Sequence, residues 1–131
     1  MRITGLYAAL AALLVIFLVF RVVMRRRSAR IGIGDGGDHD LNRRVRAHAN
    51  AAETLPIGLL LLLLVELNQT QPLVVHLFGI TLIVGRLLHA WGLTRHAGTS
   101  PGRLIGMSLT LLAMLGMALL LLWQFVLAAT I

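Results

Sequence analysis

The feature that most constrains this chain is a run of apolar sequence that recurs four times. From Leu6 to Phe20 the chain is unbroken apolar residues, and the segments that follow around Leu55–Val65, Val74–Val84 and Leu111–Val126 are almost as oily. A helix that crosses a bilayer needs about 20 mostly apolar residues, and only helices or closed barrels satisfy every backbone group in lipid. The patterning therefore predicts four spans, at about 5–24, 41–67, 71–93 and 101–130. With short connections these account for nearly all 131 residues, which implies one domain, 1–131. The hydrophobic share of 58% and mean hydropathy of +0.87 exclude a small soluble domain, which leaves too much surface exposed to hide so much apolar material. The first span reads as a membrane helix and not as a cleaved leader, because an arginine cluster follows it where a small-residue cleavage site would stand. The expected fold class is all-α, an integral membrane four-helix bundle.

The charges orient the bundle. All 12 basic residues are arginine, and neither lysine nor cysteine occurs. Without cysteine, any thiol chemistry must use a thiol brought by a substrate. Arg21, Arg25, Arg26, Arg27, Arg30, Arg43, Arg44 and Arg46 lie in or beside the first connection, and Arg95 and Arg103 flank the third. The second connection, Asn68 to Gln71, has no charge. Arginine-rich connections stay in the cytoplasm, so connections one and three are expected there and both termini on the other side, with Arg2 the one opposing arginine. On that orientation Tyr7 and Trp123 belong to the outer aromatic belt and Trp91 to the inner one. The same clustering at helix ends argues against a nucleic-acid partner. Ser100-Pro101 reads as an N-cap followed by a first-turn proline. Asp38, His39 and Asp40 read as the charged start of the second helix and not as a metal site. The glycines around Asp35 (Gly32, Gly34, Gly36 and Gly37) lie between two helices and read as a flexible turn, since a phosphate-binding loop joins a strand to a helix.

Ionisable residues inside membrane helices are costly and mark function. Arg46, Asn50 and Glu53 follow at i, i+4 and i+7 and share one face of the second helix; Arg86 and His89 share a face of the third. Both groups lie at the arginine-rich end of their helices. An ion pair would need one arginine for Glu53, and this set has arginine to spare, so it invites an anion, whose carboxylates match the planar guanidinium fork. His48 lies off the Arg46 face. His76 is expected to pack or hydrogen-bond, Glu66 to reach water at the outer end of the second helix, and His96 is a connection residue with no assigned role. A bis-histidine haem site on His48 and His89 is a further arrangement that the depths of those residues permit.

The stretch Arg46-Ala47-His48-Ala49-Asn50-Ala51-Ala52-Glu53-Thr54-Leu55-Pro56 resembles the signature of the MAPEG family, the membrane-associated proteins of eicosanoid and glutathione metabolism, in its arginine, asparagine, glutamate and proline. Gly85-Arg86-Leu87-Leu88-His89 is similar to the third helix of the family's prostaglandin synthase branch, and Arg103, just after Pro101, is placed like the arginine opening the fourth helix. Residues 34–37 look like those of bacterial members. Leu93 stands where some synthases carry a tyrosine. The resemblance implies a left-handed four-helix bundle assembled as a homotrimer, in a bacterial inner membrane, with both termini periplasmic. It implies glutathione as co-substrate, bound by Arg46, Asn50, Glu53, Arg86 and His89, with Arg103 near the thiol as the catalytic residue. The activity it implies is that of a glutathione transferase acting on hydrophobic electrophiles or peroxides that arrive from the bilayer. A catalytically silent glutathione- or lipid-binding membrane protein is the alternative.

Overall fold

The structure is a computed structural model; it describes residues 2–95, 98 and 100–129, so His96 and Thr130 lie outside the described residues. It is all-α, with four helices in the order α1 (Arg2–Ala29), α2 (His39–Leu67), α3 (Pro72–Arg95) and α4 (Pro101–Ala129). Each is long and apolar enough to cross a membrane. The helices overrun the expected spans where the sequence turns polar. Helix α1 continues past Met24 through Arg25, Arg26 and Arg27, because arginine is a good helix former and nothing before Arg30 breaks the helix. Its 28 residues give roughly 42 Å of helix against a hydrocarbon core of about 30 Å.

The helix ends are built from the chain's own polar groups. Asp38 caps α2, its carboxylate accepting from the N–H groups of Asp40 and Leu41 at 2.9 and 3.0 Å. Ser100 caps α4 as expected, its hydroxyl accepting from the Arg103 N–H. Helix α1 closes with Arg30 at φ 56°, the Ile31 N–H returning to the Arg26 carbonyl and the Arg30 N–H to Arg27. Helix α2 closes the same way, with Gln69 at φ 56°, Thr70 returning to Val65 and Gln69 to Glu66. Both are Schellman closures that use a side-chain-bearing residue where glycine is usual. The first connection is an ordered turn. Asp35 accepts from the Gly37 N–H, and Arg26 donates to the carbonyls of Gly32 and Gly34. Arg25 reaches across to Asp38 at 2.7 Å and to Asp40 at 3.4 Å, which ties the end of α1 to the start of α2.

One expectation at the opposite end is corrected. Tyr7 turns into the bundle and not outward to an aromatic belt. It is 4% exposed, its hydroxyl 2.8 Å from Nδ1 of His76 and donating to the His76 carbonyl. Polar partners inside the bundle satisfy the phenol, so it has no need of the headgroup layer. Glu66, near the C-terminal end of α2, remains partly exposed. Its carboxylate accepts from the N–H groups of Ile3 and Thr4 at 3.2 and 2.8 Å, capping the first turn of α1, where unpaired donors and the helix dipole favour an anion. His76 does hydrogen-bond, as expected. Trp91 and Trp123 are exposed near the ends of their helices, with Arg95 stacked on Trp91 at 4.9 Å.

Helices α2 and α3 form the centre. Helix α1 packs on both, α4 packs mainly on α3 and also on α2, and among the described residues α1 and α4 do not meet. The core runs from Tyr7, Leu14 and Leu18 through Leu55, Leu62 and Val65 to Val75, Leu82 and Met117. Helices α3 and α4 approach so closely that a Cβ on Gly85 would fall 2.7 Å from the Thr110 hydroxyl and 2.9 Å from the Gly106 carbonyl. Small residues at such crossings replace the hydrophobic drive that lipid removes.

Candidate anion-binding site

At the end of the bundle that carries the first and third connections, three helices leave a cleft of about 620 Å³. Helix α2 lines it with His39, Asn42, Arg43, Arg46 and Asn50, which follow at i, i+3, i+4, i+7 and i+11 along one face. Helix α3 adds His89 and Leu93, one turn apart. Ser100 and the first turns of α4 add Arg103, Leu104 and Met107. Three arginines thus face one cavity, and none of the residues lining it is a carboxylate. Arg46 forms no ion pair among the described residues. Arg43 has only Asp40, at 3.8 Å. Among the described residues the Arg103 guanidinium donates only to the Gly98 carbonyl, at 3.4 Å. His89 is 5% exposed and has no hydrogen-bond partner among the described residues, so its ring nitrogens are free for whatever enters the cleft.

Of the expected site residues, Arg46, Asn50, His89 and Arg103 meet in this cleft. Arg86 lies behind its wall, 1% exposed. Its Nε donates to the Thr110 hydroxyl at 2.8 Å, and Nη1 to Oδ1 of Asn50 at 2.6 Å and to the Thr54 hydroxyl at 3.1 Å. Nη2 faces the Gly106 carbonyl and the Met107 sulfur, each at 3.5 Å. No carboxylate accepts from it among the described residues, so the buried charge is held by neutral dipoles alone. Burial of an uncompensated cation is expensive, and here it adds positive potential to a cavity already rich in arginine.

Glu53 is placed apart. It keeps the azimuth of Arg46 on α2 but sits seven residues further along, roughly 10 Å deeper by helical rise, beyond the lining of the cleft. It is exposed and has no ion-pair or hydrogen-bond partner among the described residues. Pro56 lies inside α2 one turn on. Lacking an N–H, it leaves the Ala52 carbonyl next to Glu53 without its usual helical donor. A carboxylate and a carbonyl that lacks its i+4 donor therefore lie side by side in the middle of α2. His48 is half-buried on α2 and does not line the cleft with His89, which leaves the bis-histidine arrangement without a common cavity. Among the described residues no cluster of metal ligands occurs.

Thr54, Thr110 and Met107 were not singled out by sequence reasoning. Thr54 is one turn from Asn50 and Thr110 one turn from Gly106. The spacing was visible, but which helix faces which was not. His39, Asn42 and Arg43 share the α2 face of Arg46 and Asn50, a signal that was available from periodicity alone.

The sequence model of the MAPEG family matches residues 4–123. The inner membrane protein YecN of Escherichia coli K12 is 41% identical over 121 residues, which cover 92% of this chain and 91% of that protein. YecN of Escherichia coli O6:H1, strain CFT073, matches to the same extent. A family match across nearly the whole chain, four spanning helices and the cleft beneath the Arg46–Asn50 motif lead to one statement: this integral membrane protein belongs to the MAPEG family.

Proposed function

We propose that the protein is an inner-membrane glutathione transferase, with Arg46, Asn50, His89 and Arg103 forming the floor of the glutathione site. The observation that carries this reading is the cleft itself, in which three arginines and no carboxylate converge from α2 and α4. Glutathione is a net anion with two carboxylates and one ammonium. Its volume suits a cavity of this size, and arginine is the side chain best matched to carboxylates. Arg103, at the opening of α4, is assigned to the sulfur. A free thiol has pKa about 8.5, and only the thiolate attacks; a guanidinium alongside stabilises the charged form. Attack forms a sulfur–carbon bond to the electrophile, whose leaving group departs with the bonding pair, and the thiol proton passes to solvent. The electrophile comes from the lipid, against which most of α1 and α4 is exposed.

The ammonium of glutathione has no carboxylate partner within one copy of the cleft. Glu53 supplies one when a second copy packs its cleft against the Glu53 face of α2, and the homotrimer implied by family resemblance provides such a neighbour. Connections one and three are placed in the cytoplasm, where glutathione is made available, and both termini in the periplasm. The native chain has no cysteine, so single cysteines introduced at Ile33 and Gln69 can be probed with an impermeant maleimide on intact cells. Labelling at Gln69 and protection at Ile33 is the expected result, and the reverse would overturn this orientation.

Activity is tested by glutathione-dependent conjugation of a generic aromatic electrophile by detergent-purified protein, beside Glu53→Gln and Arg103→Ala. Turnover by the native chain and a loss of ten-fold or more in both folded variants supports the transferase. Calorimetric binding of glutathione without turnover supports a catalytically silent relative instead, and no binding at all overturns the glutathione reading.

A further inference from the structure

Asn50 can offer the cleft either its carbonyl or its amino group, and the surrounding hydrogen bonds decide which. Arg86 has five N–H donors and no acceptor, so the Asn50 atom 2.6 Å from its Nη1 is the carbonyl oxygen. The amino group is thereby left as the part of the amide available to the cleft that Asn50 lines. The guanidinium is itself held in one pose by two threonines, each with its hydroxyl proton already committed. Thr110 donates to the Gly106 backbone carbonyl at 2.9 Å, and Thr54 donates to the backbone carbonyl of Asn50, not to its amide side chain, at 2.8 Å. Each hydroxyl can then only accept from Arg86, which it does at 2.8 and 3.1 Å. Every link in this chain has one permitted direction, running from the Gly106 carbonyl through Thr110 and Arg86 to the Asn50 amide.

We infer that Thr110, which does not line the cleft, is a positioning residue that through Arg86 fixes Asn50 as a hydrogen-bond donor, so that the cleft reads an acceptor-only group (a carboxylate or a peptide carbonyl) at that depth. Beside the Asn50 amino group the floor presents the donors of Arg46 and Arg103. It selects against ligands that carry a hydroxyl or amine donor at this point. This deepens the glutathione reading and rests on it for the choice of ligand, but the orientation of Asn50 is a property of the protein alone.

The test has one arm without ligand and one with it. The sequence holds three asparagines, Asn42, Asn50 and Asn68, so protein labelled with ¹⁵N-asparagine shows three side-chain amide pairs in detergent, and Asn50→Ala assigns the pair of interest. Thr110→Val, which removes the acceptor, is expected to shift or broaden the Asn50 pair, and Thr110→Ser, which keeps it, to restore it. An Asn50 pair unmoved in Thr110→Val overturns the inference. In the second arm glutathione affinity is measured by calorimetry. Thr110→Val is expected to weaken it about tenfold, Thr110→Ser to leave it unchanged, and Thr110→Val to have no further effect in an Asn50→Ala background. A purely structural role predicts equal losses in both backgrounds, and that result would also overturn the inference. Should Thr110→Val not fold, Asn50→Asp serves in its place. It satisfies Arg86 with a charge pair but turns an acceptor toward the cleft, so glutathione affinity is expected to fall at least tenfold; unchanged affinity sinks the donor assignment. If the native protein binds no glutathione, that reading fails by itself, and the amide spectra still decide the role of Thr110.

Discussion

Gly106 sits where α3 and α4 come closest, and its missing side chain does two things. It lets α4 lie against the backbone of α3, where a Cβ would stand 2.6 Å from the Gly85 carbonyl and 2.8 Å from the His89 Cα. It also leaves its own carbonyl open to Thr110 and Arg86. Backbone atoms cannot swing aside as a side chain would, so Gly106→Ala is expected to push the helices apart. The cost expected of overpacking is about 1–3 kcal/mol, read as a lower midpoint of thermal unfolding in detergent, and an unchanged midpoint would show that the crossing is looser than described. The residues of the candidate site divide on legibility at this scale. Arg46, Asn50 and Glu53 could be read as one face of α2 from their spacing, and Arg86 and His89 as one face of α3. That Arg86 would turn inward to two threonines and an amide could not be read, because it depends on Thr110 arriving from a helix more than twenty residues away.

At the scale of the element, most of what shapes the helices is local. Asp38 and Ser100 could both be identified as caps because a cap is a contact between near neighbours in sequence. The Schellman closures at Arg30 and Gln69 were less visible, since neither position carries the glycine that announces such a turn. A non-glycine residue in the left-handed region costs roughly 1–2 kcal/mol, and glycine there returns part of that through its looser unfolded chain. Gln69→Gly is therefore expected to stabilise the protein by about 0.5–1 kcal/mol; a lower unfolding midpoint would contradict this. The junction of α1 and α2 has its own pH dependence. The backbone N–H of Leu41, with Arg25 adding to it, holds the Asp38 carboxyl below its ordinary value of 3.8. A depressed carboxylate contributes stability that is fully present above the unfolded value and is lost as pH falls through the folded one. Amide protection in the first turn of α2 should thus be constant from neutral pH down to about 5 and decline only below about 4. Loss of protection near pH 6 would mean that another group governs the junction.

For the whole molecule the telling observation is the exposed carboxylate. Glu53 lies on the surface of a spanning helix with no partner among the described residues of one copy, a placement that lipid penalises heavily. Assembly relieves it if the neighbour brings an arginine or a ligand ammonium to the same depth. Native mass spectrometry from detergent is expected to show a trimer, and Glu53→Gln is expected to keep the assembly while losing glutathione. A monomer in mild detergent would leave Glu53 facing lipid and count against the shared site. The amino-acid sequence by itself determined that this chain has four helices long and apolar enough to cross a membrane, where those helices lie to within about five residues, and which family it resembles. These follow from hydropathy, charge placement and short motifs, all of which are local along the chain. Only the tertiary structure decided that Tyr7 turns inward, that Glu66 caps α1, that Arg86 props Asn50 rather than facing the cleft, and that Glu53 stands outside it. Those outcomes depend on which helix faces meet, and the meeting of α3 with α4 is set by glycines whose role is to be absent from the space between them.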